Sequence, residues 1–237
     1  MNADEQKKRL RDQLYKANTI YSWEYQGAGQ KYTNLAYWIL SIFSGGIPLL
    51  FLWSVTDLTI DSPVFFGLFI LSTTLVFIGR YLFAPDKDYC YHLTPMGIHY
   101  TEQDMIPEVA YKIARGFAWV GIVVCIIVAF MLGPLAFVGA GAFALMSFGM
   151  TNFQSTIQEH EVFFSDRPIL FNPVNDTMFR VDSNTAPDYC CRRDFYVPSL
   201  EQKKQIITAI QNSQKNIEYV ELAKLNDMFK HPIFIQD

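Results

Sequence analysis

Five cysteine and histidine side chains could together hold a metal ion if the polar segments of the chain folded onto one another. They are Cys90, His92, His160, Cys190 and Cys191. Thiolate and imidazole groups are ligands that zinc prefers. Their spacing matches no known zinc pattern, however, and the alternative is that they are ordinary strand residues. We therefore expect no bound metal, and these five residues are the candidates for a metal site.

Side chains that could carry catalysis occur without the spacing of a known motif. The chain has no Gly-rich phosphate loop, no G-x-S-x-G elbow, no H-E-x-x-H and no paired C-x-x-C. An enzyme acting on lipid would need acids or histidines at the membrane surface, and few residues are placed for that role. They are Asp86, Asp88, Glu108 and His160. We predict that the chain is not an enzyme and carries no cofactor.

Basic side chains in the C-terminal part of the chain form a candidate surface for anionic lipid. They are Arg192, Arg193, Lys203 and Lys204. A cation close to an anionic membrane contributes about 1 kcal/mol to binding. The alternative is a strand edge whose arginines face water, and the neighbouring carboxylates of Asp188, Asp194 and Glu201 weaken the lipid interpretation.

The apolar residues are concentrated in tracts without any charge, Ala36–Val55, Val64–Gly79 and Phe117–Met150. Hydrophobic residues make up 51% of the chain and charged residues only 18%, whereas soluble domains carry about 25% charged residues. A helix that crosses a bilayer needs about 20 apolar residues. The first two tracts therefore predict a transmembrane hairpin with spans Ala36–Val55 and Val64–Phe83, the first of them kinked at Pro48.

The third tract is too long for one crossing. Its 34 residues would extend about 51 Å as a helix, whereas the hydrocarbon core is about 30 Å thick. Gly133-Pro134 divides the tract into Phe117–Leu132 and Pro134–Met150, which predicts a second hairpin of two short spans, with a re-entrant hairpin as the alternative. Small residues on the second arm would permit close helix packing, within the chain or against a partner. They are Ala136, Gly139, Ala140, Ala144 and Ser147.

Basic residues predict the orientation of these helices. Six lysines and arginines precede the first span, and the loop after that span has none. The positive-inside rule then places both termini in the cytosol. The polar start predicts no cleavable signal peptide, and the net charge of −4, without a basic face, gives no reason to expect nucleic acid as a partner. We expect an integral protein of a bacterial inner membrane.

The polar segments predict short strands between amphipathic helices. Residues 3–25 show helical periodicity. Tyr89–Leu93 and Ile98–Thr101 flank a turn and predict a β-hairpin, and Glu161–Phe164 with Ile169–Phe171 predict a second one.

Further strands and a helix are predicted towards the C-terminus. Met178–Val181 and Phe195–Val197 are strand candidates. Ser199-Leu200-Glu201-Gln202 has the pattern of a capping box and opens a helix with an isoleucine-rich face.

Taken together, these patterns predict a multi-pass α-helical membrane protein. It has four transmembrane helices in two hairpins and a small cytosolic α+β module that the second hairpin splits. The predicted parts are an amphipathic N-terminal helix (1–35), transmembrane hairpin 1 (36–83), a cytosolic β-hairpin segment (84–116), transmembrane hairpin 2 (117–150) and a cytosolic α+β segment with a C-terminal helix (151–237).

One stretch resembles a known family. Tyr91-His92-Leu93-Thr94-Pro95-Met96-Gly97-Ile98 is similar to the opening hairpin of bacterial membrane-anchored pleckstrin-homology-like domains, and Asp194–Ile210 is similar to their closing strand and helix. The resemblance implies a fold and no activity. An interruption by a membrane hairpin departs from the usual arrangement of that family.

These observations favour a membrane-anchored interaction or regulatory subunit. It would present its cytosolic module to another protein or to its own copies, as an accessory of an envelope, secretion, conjugation or defence complex. An oligomeric channel gated by the module and a membrane-embedded enzyme acting on lipid are the alternatives. The expected partners are membrane lipids and either copies of the chain or another protein.

Overall fold

The computed structural model describes residues 3–30, 32–55, 59–132, 147–164, 167–183 and 193–234. The chain forms two compact units. Unit 1 comprises Met1–Leu40, Asp86–Gln103 and Ile157–Asp237, and unit 2 comprises Ser41–Pro85 and Asp104–Thr156.

Unit 1 contains a first four-stranded sheet, with the strand order β1-β2-β3-β4. Its strands are β1 (Tyr21–Gly27), β2 (Lys87–Thr94), β3 (Gly97–Asp104) and β4 (Ile157–Phe163). Gly27 lies opposite Lys87, and Gln103 lies opposite Ile157. Each long insertion therefore leaves the sheet and re-enters it at neighbouring strand ends. The predicted hairpin around Pro95 is confirmed as β2 and β3.

The N-terminal segment differs from its prediction. A helix, α1, covers Ala3–Lys16 only, and the residues that follow form β1. The aromatic residues Tyr21, Trp23 and Tyr25 alternate with polar ones, which is the period of a half-buried strand. The prediction of a helix to residue 25 was wrong because Tyr21 also fits the helical spacing of Leu10 and Leu14.

The second sheet of unit 1 has the strand order β7-β6-β5-β8. Its strands are β5 (Pro168–Pro173), β6 (Met178–Ser183), β7 (Arg193–Tyr196) and β8 (Glu218–Leu222). β8 runs parallel to β5, and a helix, α5 (Leu200–Ser213), connects β7 to it. The predicted hairpin of Glu161–Phe164 with Ile169–Phe171 was wrong, because β4 pairs with β3 and β5 pairs with β6 and β8.

The main core of unit 1 joins both sheets to α5. Fully buried side chains from the first sheet meet those of the second sheet and of the helix. They include Tyr91, Leu93, Ile98, Val162, Leu170, Phe179, Phe195, Ile206 and Ile210. A smaller cluster of Ile169, Phe171, Leu222 and Met228 lies on the other face of β5. Burial of aromatic and branched side chains is the dominant stabilising term for such a unit.

The start of α5 offers a direct test of the fold. Ser199 accepts a hydrogen bond from the backbone N–H of Gln202 at 3.2 Å, as the capping pattern predicts. Substituting Ser199→Ala should lower the free energy of unfolding by about 1 kcal/mol, because one helical N–H loses its partner. Urea unfolding of the purified chain measures this, and Ser199→Asp, which keeps an acceptor, should be near wild type. An unchanged midpoint for the alanine variant would contradict the cap.

Unit 2 is helical in its described part. It contains most of α2 (Thr33–Val55), then α3 (Pro63–Ile78), which continues as a π-helical turn over Gly79–Phe83, and α4 (Glu108–Leu132). α2 is continuous through Pro48.

The first two helices meet through small residues. Ser72 donates its hydroxyl hydrogen to the carbonyl oxygen of Gly45 at 2.6 Å. A Cβ at Gly45 would lie 2.6 Å from a Val76 methyl group, so this crossing requires glycine.

The predicted fold class was wrong. Two four-stranded sheets and their helices make a mixed α/β protein rather than a helical bundle with a small module. Among the described residues, three helices rather than four are long and apolar enough to cross a membrane, namely Thr33–Val55, Pro63–Phe83 and Glu108–Ile127. α4 begins well before the predicted start of the third span, with an ion pair of 3.0 Å between Glu108 and Lys112. Most of the predicted fourth span lies outside the described residues.

Candidate functional site

A polar cavity of about 300 Å³ opens in unit 1, and we call it the tyrosine cavity. Strands of both sheets contribute to its wall. The lining residues are Tyr89, Tyr100, Glu102, Arg180, Arg193, Asp194 and Tyr196.

Strand alternation places the tyrosines of this cavity. On β2, Tyr89 and Tyr91 share one face, and their rings stack at 5.7 Å between centroids. The ring of Tyr89 lies 5.7 Å from that of Tyr196 and 6.3 Å from that of Tyr100. Tyr25 of β1 packs on Tyr196 at 5.4 Å. These rings hold one another in place, so the wall of the cavity is formed before any partner arrives.

The hydroxyl groups of the cavity are protonated donors without partners in the described part of the chain. Burial raises the pKa of Tyr100 to about 12, with Arg193 acting in the opposite direction. Burial likewise raises the pKa values of Tyr89 and Tyr196. None of the three hydroxyls makes a hydrogen bond to a described residue. Each can therefore donate to a group that enters the cavity.

Most charges of the cavity are already paired. Arg180 forms a two-pronged pair with Asp194, at 2.5 and 2.8 Å. The carboxylate of Glu102 accepts a hydrogen bond from Lys87 and lies 3.5 Å from Nε2 of His160. Arg193 is the exception, since within the described residues no carboxylate or hydrogen-bond acceptor contacts its guanidinium. Among the described residues, the cavity thus has one cation without a paired carboxylate, that of Arg193.

The structure separates the metal-site candidates. His160 faces the core side of the first sheet and stacks on Tyr100 at 5.0 Å. Cys90 and His92 lie on the opposite face, since they alternate with the buried Tyr89 and Tyr91. Cys190 and Cys191 lie outside the described residues. Over the described ranges, no group of three or more histidine, cysteine or acidic residues is arranged to hold a metal ion.

The candidates for lipid binding are also in different environments. Lys203 is buried, and its ammonium donates hydrogen bonds to the carbonyl oxygens of Pro173 and Asp176 at 2.6 and 2.7 Å. Burial lowers its pKa to about 8. The prediction that Lys203 lies on a lipid-facing surface was wrong, because its side chain is buried. Lys204 is exposed, Arg193 lines the tyrosine cavity, and Arg192 lies outside the described residues.

Of the predicted helix-packing residues, Ser147 is buried. Ala136, Gly139, Ala140 and Ala144 lie outside the described residues. Among the candidates for lipid chemistry, Glu108 pairs with Lys112 within α4, and His160 lies beside Glu102.

The chain is similar to known proteins along its whole length. It matches the family of the TsiV2 immunity protein over residues 1–237. It is 38% identical over 228 residues to the immunity protein TsiV2 of Vibrio cholerae serotype O1, which covers 96% of this chain and 94% of that protein. No solved structure matches the chain. The resemblance to pleckstrin-homology-like domains was wrong, because this match extends over the whole chain. The chain therefore belongs to the TsiV2 immunity protein family.

Proposed function

We propose that this chain protects the cell that makes it by binding a toxin protein and blocking its action. The match to an immunity protein along nearly the whole chain carries this proposal. The predicted roles as a membrane accessory subunit, a channel and a lipid-acting enzyme were wrong, since the family is one of immunity proteins. The expectation of a protein partner agrees with the family. Neither lipid nor a second copy of the chain has such support.

Binding, without catalysis, suffices for this function. A protein that occupies the working surface of a toxin needs shape and charge complementarity, and aromatic and arginine side chains contribute most to such contacts. The tyrosine cavity presents these side chain types on a sheet framework. We propose that it forms part of the toxin-binding surface.

We further propose that the long apolar helices hold the protein in the bacterial inner membrane, with both termini in the cytosol. Large apolar side chains of α2 and α3 are exposed along their length, among them Leu40, Phe51, Phe66 and Ile70, which are 56–65% exposed. In water such a surface would be unfavourable, whereas in a bilayer it is matched. A toxin that acts at that membrane would meet the immunity protein there.

Competition between bacteria tests the proposed function. A strain lacking this gene, grown in contact with its parent, should lose viability that the parent retains, because the parent delivers a toxin to which the mutant has no immunity. Expression of the full chain in the mutant should restore survival. Equal survival of the mutant and the parent in the mixed culture would refute the proposal.

A further inference from the structure

The tyrosine cavity has an excess of hydrogen-bond donors over available acceptors. Arg180 and Asp194 satisfy each other, and Lys87 neutralises Glu102. Among the described residues, the groups still able to bind an incoming side chain are the guanidinium of Arg193 and the hydroxyls of the cavity tyrosines. A guanidinium and phenol hydroxyls together complement a carboxylate.

The chemistry of other occupants fits less well. A lysine or arginine from a partner would face Arg193, and no described residue of the cavity offers it an unpaired carboxylate. An apolar side chain would cover the hydroxyls of Tyr89 and Tyr100 and leave them without partners, which costs about 1–3 kcal/mol for each buried group. A carboxylate avoids both costs.

We propose that the tyrosine cavity receives an aspartate or glutamate side chain of the toxin, which pairs with Arg193 and accepts hydrogen bonds from the tyrosine hydroxyls. This inference rests on the proposed function, since the toxin supplies the acidic group. The packed rings of Tyr25, Tyr89 and Tyr196 keep the site rigid, so little conformational entropy is lost on binding.

Charge reversal at Arg193 tests the inference in the mixed-culture assay. Arg193→Glu should weaken toxin binding by about a hundredfold or more and abolish protection of the deletion strain. Arg193→Gln should protect poorly, and Arg193→Lys should protect better than Arg193→Gln because it retains the charge. Arg9→Glu makes the same charge change at an exposed position of α1 and should protect like the wild type.

The controls separate the possible failures. Because Arg193 is exposed, its variants should keep the near-ultraviolet circular dichroism of the aromatic core. If the wild-type chain itself gives no protection, the proposed function fails. If the wild type protects and a folded Arg193→Glu variant protects equally well, the proposed function stands and the acidic contact is refuted.

A selection identifies the partner group directly. A producing strain whose only immunity protein carries Arg193→Glu should be killed by its own toxin. Survivors that still kill the deletion strain should carry a toxin change from aspartate or glutamate to lysine or arginine, which restores the pair with reversed charges. Survivors that keep the Arg193→Glu change and whose active toxins retain every acidic residue would overturn the proposal.

Discussion

Substituting Gly97→Ala is expected to destabilise unit 1 by about 3 kcal/mol or more. A Cβ at this position would lie 2.1 Å from the carbonyl oxygen of Val162 and 3.0 Å from Cα of Phe163. Both atoms belong to the backbone of β4, which is paired with β3 from Gly97 onwards. They cannot move away without breaking that pairing.

Urea unfolding followed by near-ultraviolet circular dichroism measures this effect in the purified chain. Since domains are stable by only about 5–15 kcal/mol, the loss should be visible as a large fall in the unfolding midpoint. Gly116→Ala is a matched control, because nothing lies within 4 Å of the added Cβ in α4, and alanine is favoured over glycine in a helix. Equal midpoints for Gly97→Ala and the wild type would show that β3 and β4 are not paired in this register.

Local patterns predicted the elements that depend on neighbouring residues. The hairpin of β2 and β3 follows from alternation around a Pro95-containing turn, and the start of α5 follows from the Ser199 cap. Pairings between distant segments have no such local signal. About fifty residues separate β3 from β4, which pairs with it. β8 pairs with β5 although β6, β7 and α5 lie between them in the sequence. The predicted domain boundaries remain predictions.

The tyrosine cavity was not predicted from the sequence, for a related reason. Metal sites and catalytic motifs are recognised by residues of other types and by their spacing, whereas the cavity is built from tyrosines and ion pairs. The alternation of Tyr89 and Tyr91 was a visible signal of one buried face. Nothing local indicates that Tyr196 would join them from the other sheet, because that contact follows from the packing of two sheets.

The predicted fold class was wrong because it was based mainly on the apolar tracts. They indicate that α2, α3 and α4 are long apolar helices. They carry no information on how the polar remainder of the chain folds. In the part of the chain that the structure describes, that remainder holds eight strands in two sheets. Function was missed as well, because an immunity protein is defined by its partner and needs no motif of its own.

The buried tyrosines predict that the protein loses stability at alkaline pH. Burial holds the pKa values of Tyr89, Tyr91, Tyr100 and Tyr196 above the ordinary value of 10.0. Above pH 10 the unfolded chain therefore loses phenol protons that the folded chain keeps. Fewer protons are then bound to the unfolded state, so the free energy of unfolding falls as the pH rises.

The size of this effect follows from the number of groups. The contribution of each such tyrosine approaches about 1.4 kcal/mol per pH unit above pH 10. Because the unfolded phenols are only half ionised at pH 10, four of them lower stability by about 4 kcal/mol between pH 10 and 11. Lys203 acts in the opposite direction, because its folded pKa of about 8 lies below its ordinary value of 10.5. The unfolded state binds more protons between these values, which adds about 1.4 kcal/mol per pH unit up to pH 10.5.

Urea unfolding at pH 9, 10, 10.5 and 11 should therefore show a steep fall in the free energy of unfolding above pH 10. Tyr100→Phe keeps the buried ring and removes one titrating group, so it should reduce the slope above pH 10 by about 1.4 kcal/mol per pH unit. If the wild type gained more tyrosinate absorbance than Tyr100→Phe while the aromatic circular dichroism of both stayed intact, Tyr100 would be titrating within the folded protein. The burial that raises the pKa of Tyr100 above 10.0 would then be refuted.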